Sequence, residues 1–198
     1  MKRLLILSVT ILLALGFCTT VFCQESPKQW LTIELFWDQP VDLDLWVRLP
    51  TGAWIGYTNP VHQGAVLLKE SYGSGAPLHS NYKKESNGPD NELVYVPVQD
   101  SYSEGEYIVA VALYSNYQLC THAEFTCKIT LTEVIEFLVG LEKRSMSREV
   151  SKIEKATYVK RFVWVNKSAN LTEDNYALTF MLKEGQLWVR SGEILLND

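Results

Sequence analysis

The sequence predicts an all-β fold, an antiparallel sandwich of the jelly-roll or immunoglobulin-like kind, forming a single domain behind an N-terminal signal peptide. Three observations carry this. Apolar residues recur at every second position in run after run, the period of a strand with one buried face. Gly, Pro, Asn and Asp punctuate these runs at short intervals, and six or seven such strands point to a sandwich or barrel. No internal repeat, heptad pattern or second domain boundary is present.

The elements follow in order. Leu31, Ile33, Leu35 and Trp37 alternate with Thr32, Glu34 and Phe36. In the next strand Leu43, Leu45, Val47 and Leu49 point one way and Asp42, Asp44, Trp46 and Arg48 the other, a half-buried strand by pattern. Pro50-Thr51-Gly52 is a turn, and residues 53–58 return as a short strand. Residues 64–70 form a further strand. Residues 71–90 are rich in Gly, Ser, Asn, Lys and Pro and read as a long, functional loop. Residues 92–98 are a strand and 101–106 a turn. Residues 107–113 are apolar on both faces, as a strand covered on both sides would be. Phe125, Cys127, Ile129 and Leu131 alternate with Thr and Lys. Residues 132–143 read as a long strand or a short helix, and 147–155 as a loop or helical turn. Residues 157–165 read as a strand, and 176–183 with 186–190 as a hairpin around Glu184-Gly185.

The first residues have the form of an export signal. Lys2 and Arg3 precede a run from Leu4 to Phe22 without charge, and the chain turns polar at Gln24. Cleavage after Cys23 leaves residues 24–198, long enough for one sizeable core. The alternatives are an uncleaved anchor or lipidation at Cys18 or Cys23; each cysteine follows a bulky Phe. Of 18 basic and 23 acidic residues, Lys2 and Arg3 leave with the signal, so the mature net charge moves from −5 to −7. No basic patch argues for nucleic acid, and no second apolar run approaches membrane length. The expected location is periplasmic or secreted.

Two of the four cysteines lie in the signal. The remaining pair, Cys120 and Cys127, is expected to form a disulfide in an exported chain. In the chain-entropy model so short a closed loop stabilises by about 2–3 kcal/mol. The alternatives are two reduced, buried cysteines or a metal site with His122, which lacks a fourth ligand.

The strand at residues 41–48 is the most informative segment. It places Asp42 and Asp44 on one face about 7 Å apart at strand rise, with Asp38 just upstream. Like charges so close raise each other's pKa unless a cation, a basic residue or water satisfies them. Calcium favours oxygen ligands of this kind. The plain alternative is a solvated, acidic strand edge.

Further segments accompany that strand: Ile55-Gly56-Tyr57-Thr58-Asn59-Pro60, Gly88-Pro89-Asp90-Asn91-Glu92, and Gly105-Glu106-Tyr107-Ile108-Val109-Ala110-Val111 leading to Tyr114 and Tyr117. In this order they resemble the YfaP-like family of exported bacterial domains of unknown function, over residues 31–132. The chain departs from that family's G-P-E element, because Asp90 and Asn91 stand between Pro89 and Glu92. The strand also resembles that of pre-peptidase C-terminal domains. Trp37-Asp38, Asp42-Leu43-Asp44, Tyr57-Thr58-Asn59 and Asp90-Asn91-Glu92 are similar in order to the calcium-binding elements of TerD-type domains. That resemblance implies a calcium set of Asp38, Asp42, Asp44, Asp90, Asn91 and Glu92.

No phosphate loop and no nucleophile elbow is present, and His62, His79 and His122 lack metal-ligand spacing. Asp42 with Glu92 is a formal glycosidase pair, without a distance to support it. Trp46 and Trp54 are the candidates for a sugar-stacking platform. Asn166 and Asn170 begin glycosylation sequons, meaningful only in a source that glycosylates exported proteins. The expectation is an exported, non-catalytic binding module that holds calcium and meets an envelope or extracellular protein or glycan. A carbohydrate-binding module is the first alternative and a hydrolase the second.

Overall fold

In the computed structural model two antiparallel sheets pack face to face. The structure describes residues 28–71, 89–99, 103–116, 123–139, 142–159 and 170–189. The strands are β1 (Lys28–Trp37), β2 (Val41–Arg48), β3 (Trp54–Ile55), β4 (Val61–His62), β5 (Ala65–Lys69), β6 (Asp90–Val98), β7 (Gly105–Asn116), β8 (Ala123–Val139), β9 (Glu142–Val159), β10 (Tyr176–Lys183) and β11 (Gln186–Val189). A 3-10 turn spans Glu173–Asn175. The first sheet runs β4-β5-β6-β1-β8-β9 and the second β11-β10-β7-β2-β3. Consecutive strands β1 and β2 therefore belong to different sheets. The turn between them is closed by Trp37, whose Nε1–H donates to the Val41 carbonyl at 2.9 Å.

The predicted alternations set the core. Leu31, Ile33, Leu35 and Trp37 of β1 meet Leu43, Leu45 and Val47 of β2, Tyr107, Val109 and Val111 of β7, and Phe180 of β10. Fully burying side chains of this size stabilises by roughly 1.5–3 kcal/mol each. Tyr107 stacks on Phe180, with centroids 4.9 Å apart, and its hydroxyl donates to the Ser103 carbonyl at 2.6 Å. At the β10–β11 hairpin both Glu184 and Gly185 have positive φ, 53° and 68°, the backbone of a type I′ turn.

Three expectations need correction. β2 is not half-buried: both of its faces are covered. On its outer face Trp46 joins Ala110 and Ala112 of β7 beneath Trp54, Tyr57 and Leu171. Gly56 makes this closure possible, since a Cβ there would stand 2.4 Å from the Trp46 ring. Residues 147–155 are neither loop nor helical turn but part of β9, paired with β8 along its length. The long-strand reading of residues 132–143 holds as far as Val139, and β9 begins at Glu142.

β8 and β9 together outrun the sheet. β1 pairs with β8 as far as Val134, while the β8–β9 pairing continues to Val139 opposite Glu142. The β8–β9 register shifts between Leu131 and Thr132, just before the pairing with β1 ends. Most of the predicted loop at 71–90, the region of Cys120, and residues 160–165 lie outside the described residues.

Candidate functional site

The acidic residues converge where the start of β2 comes against the start of β6. In β6, Asp90 and Glu92 alternate with half-buried positions and turn toward the interior of the sandwich. In β2, Asp44 shares the outer face with Trp46. Asp42, Asp44, Asp90 and Glu92 are 2 %, 5 %, 5 % and 1 % exposed. Burial of four carboxyl groups in one place calls for partners, since an unpaired buried charge is costly.

Some partners are present. Glu92 Oε2 accepts the Leu45 N–H at 2.6 Å, and Oε1 accepts the Ser71 N–H at 3.4 Å. The Ser71 hydroxyl donates to Asp90 Oδ1 at 3.2 Å. Asp44 Oδ2 is buried without a hydrogen-bond partner. The charges acting on these groups are negative. Burial, then Glu70 and Asp90, push the Asp42 carboxyl up to about 7. Burial, then Asp42 and Glu70, push Asp44 up to about 8. Glu92 is raised well above its ordinary value, first by burial and further by Asp44 and Glu70, against the lowering effect of its two backbone hydrogen bonds. Tyr57 is raised as well, by burial and then by Asp44, Tyr114 and Glu70. Its ring meets Trp46 edge-on at 5.4 Å and Tyr114 at 6.1 Å, forming a wall beside Asp44.

Of the six residues expected to hold calcium, Asp42, Asp44, Asp90 and Glu92 are brought together and two are not. Asp38 is exposed on the β1–β2 turn. Asn91 lies between the inward positions of β6 and accepts a hydrogen bond from the Lys69 ammonium. Glu70, exposed at the end of β5, belongs to the group and escaped the sequence reading. The pairing of β5 with β6 sets Lys69 opposite Leu93 and so brings the next residue near Glu92, a register the sequence alone does not give. Among the described residues no three His, Cys, Asp or Glu side chains already form a group that could hold a metal ion.

The two tryptophans separate. Trp46 is wholly buried, with its Nε1 lacking a hydrogen-bond partner, so it presents no face to a sugar. Trp54 is half-buried and tilted against Tyr176 at 6.3 Å. Among the described residues the exposed indole is that of Trp188, 57 % accessible, beside a groove of about 360 Å³ lined by Glu106, Thr179, Met181, Lys183 and Val189. Cys127 is a buried thiol in β8, raised to about 12 by burial, and Cys120 lies outside the described residues. Among the described residues no helix is long and apolar enough to cross a membrane. No family model matches the chain, and no curated protein or solved structure matches it significantly.

Proposed function

We propose that this protein is an exported, non-catalytic β-sandwich module that binds calcium at the acidic edge and acts by binding in the cell envelope or outside the cell. The observation that carries the reading is Asp44 Oδ2, a buried carboxylate oxygen without a partner, beside Asp42 and under the negative charge of Glu70. A hard divalent cation answers both needs, taking oxygen ligands and cancelling the repulsion. Asp42, Asp44 and Asp90 would hold it, with the exposed Glu70 the next carboxylate at hand. The ion would supply charge balance and a fixed link between β2 and β6. The signal-like N-terminus and the resemblance to YfaP-like and TerD-type domains support export and calcium. Ser71, at the site through its bonds to Glu92 and Asp90, opens the segment expected to be a long loop, which would carry the contact with an envelope or extracellular partner. Calorimetric titration with calcium chloride tests the reading. One site is expected in the wild type and none in the double variant Asp42→Asn, Asp44→Asn; no heat in the wild type would refute it.

A second reading, glycan binding, is favoured by the Trp188 groove. An exposed indole flanked by Glu106, Lys183 and Thr179 suits the apolar face and hydroxyls of a sugar. Glycan-array binding lost in Trp188→Ala would support it, and an array without hits would remove it.

A further inference from the structure

We propose that Glu92 is a positioning residue and not a calcium ligand: its carboxylate joins the two sheets and fixes the stretch of β2 that carries Asp44. The part that concerns calcium rests on the reading above; the joining role does not. β3 pairs with β2 only at Val47 and Arg48, so at Leu45 the strand has run past its neighbour on that side. A backbone N–H buried there needs an acceptor. Glu92 provides it from the opposite sheet, with Oε2 2.6 Å from the Leu45 nitrogen. The other oxygen accepts the Ser71 N–H, the first residue beyond Glu70. One side chain thus ties β2, β6 and the end of the β5 segment at a single point.

The facing groups fit this role. Leu45 directly follows Asp44, so holding its amide holds the Asp44 backbone. Glu92 is 1 % exposed, and both of its oxygens already accept backbone N–H groups. A cation drawn to Glu92 would compete with two backbone N–H groups already at its oxygens. A cation among Asp42, Asp44 and Asp90 would meet Asp44 Oδ2, which has no such donor.

Amide hydrogen exchange at Leu45, read together with calcium chloride titration, tests the assignment. The Leu45 amide should be protected in the wild type and in Asp44→Asn, and should exchange at least about tenfold faster in Glu92→Ala. Glu92→Gln keeps a carbonyl for Leu45. It should retain that protection and bind calcium within about tenfold of the wild type, while Asp44→Asn loses about a hundredfold or more. If Glu92→Ala does not fold, Glu92→Gln decides the matter alone. Loss of calcium binding in Glu92→Gln as complete as in Asp44→Asn, with Leu45 still protected, would make Glu92 a ligand and overturn the proposal. Unaltered exchange at Leu45 in Glu92→Ala would overturn the joining role. A wild type without calcium binding would refute the calcium reading, and the exchange data would still decide what Glu92 does.

Discussion

The acidic edge and the β8–β9 ribbon are both rich in carboxylates, and they treat them in opposite ways. On the ribbon Glu133, Glu136, Glu142 and Glu154 each have a base. Glu136 meets Lys143 at 2.5 Å, Glu142 meets Arg144 at 3.1 Å, and Glu133 pairs with Arg148. Glu136 is held below its ordinary pKa by the Lys143 hydrogen bond and charge. At the edge, Asp42 and Asp44 are buried under further negative charge and raised to about 7 and 8. Water and cross-strand partners suffice for the first set. The second set departs from what a stable fold alone would choose, and such departures concentrate at sites of function.

Four substitutions and one titration sharpen this contrast. The largest effect is expected at Trp46, whose ring walls the acidic edge. Trp46→Ala should cost about 3–5 kcal/mol in denaturant unfolding, as removal of a buried aromatic does. Trp188→Ala, on the exposed groove, should stay within about 0.5 kcal/mol. Equal losses would show that the outer face of β2 is not the closed wall described.

The next effect is on the pH dependence of stability, measured in chelator. Asp42 and Asp44 have higher pKa values folded than unfolded, so the folded state keeps protons that the unfolded chain has released. Stability from these groups is therefore full below about 4 and falls as pH rises through about 7 and 8. Saturating calcium should flatten that fall. A stability that instead rises steadily from pH 5 to 8 in chelator would contradict the charge balance assigned to the edge.

The smallest effects belong to the ribbon. Glu133→Gln, at a buried position beside the exposed Arg148, should cost about 1 kcal/mol. Glu136→Gln, in the open, should leave the melting midpoint unchanged, and neither should alter the calcium response. A calcium response lost in either would move the site away from β2 and β6.

Much of the fold was legible because strands write their faces into the sequence with period two. The inward set on β1, the doubly covered β7 and the Glu184-Gly185 hairpin follow from pattern and turn chemistry. The depth of β2 did not follow. Its outer cover comes from the turn carrying Tyr57 and from Leu171, far along the chain, and alternation cannot say what lies over a face. The charged stretch Ser147–Lys155 hid a strand because its stability comes from cross-strand pairing with β8 and not from an apolar face of its own. At the site, Asp42, Asp44, Asp90 and Glu92 were visible as acids near strand ends. The use of Glu92 by backbone amides was not, because it depends on where β3 stops pairing.

The most direct test of the acidic edge as a calcium site is a pair of melting curves for the wild type at pH 8, one in millimolar calcium and one in chelator. Binding to the folded state alone should stabilise by about 2.7 kcal/mol at a hundredfold excess over Kd. A clear upward shift of the midpoint in calcium, absent in the double variant Asp42→Asn, Asp44→Asn, is the result expected. Coincident wild-type midpoints would contradict the account.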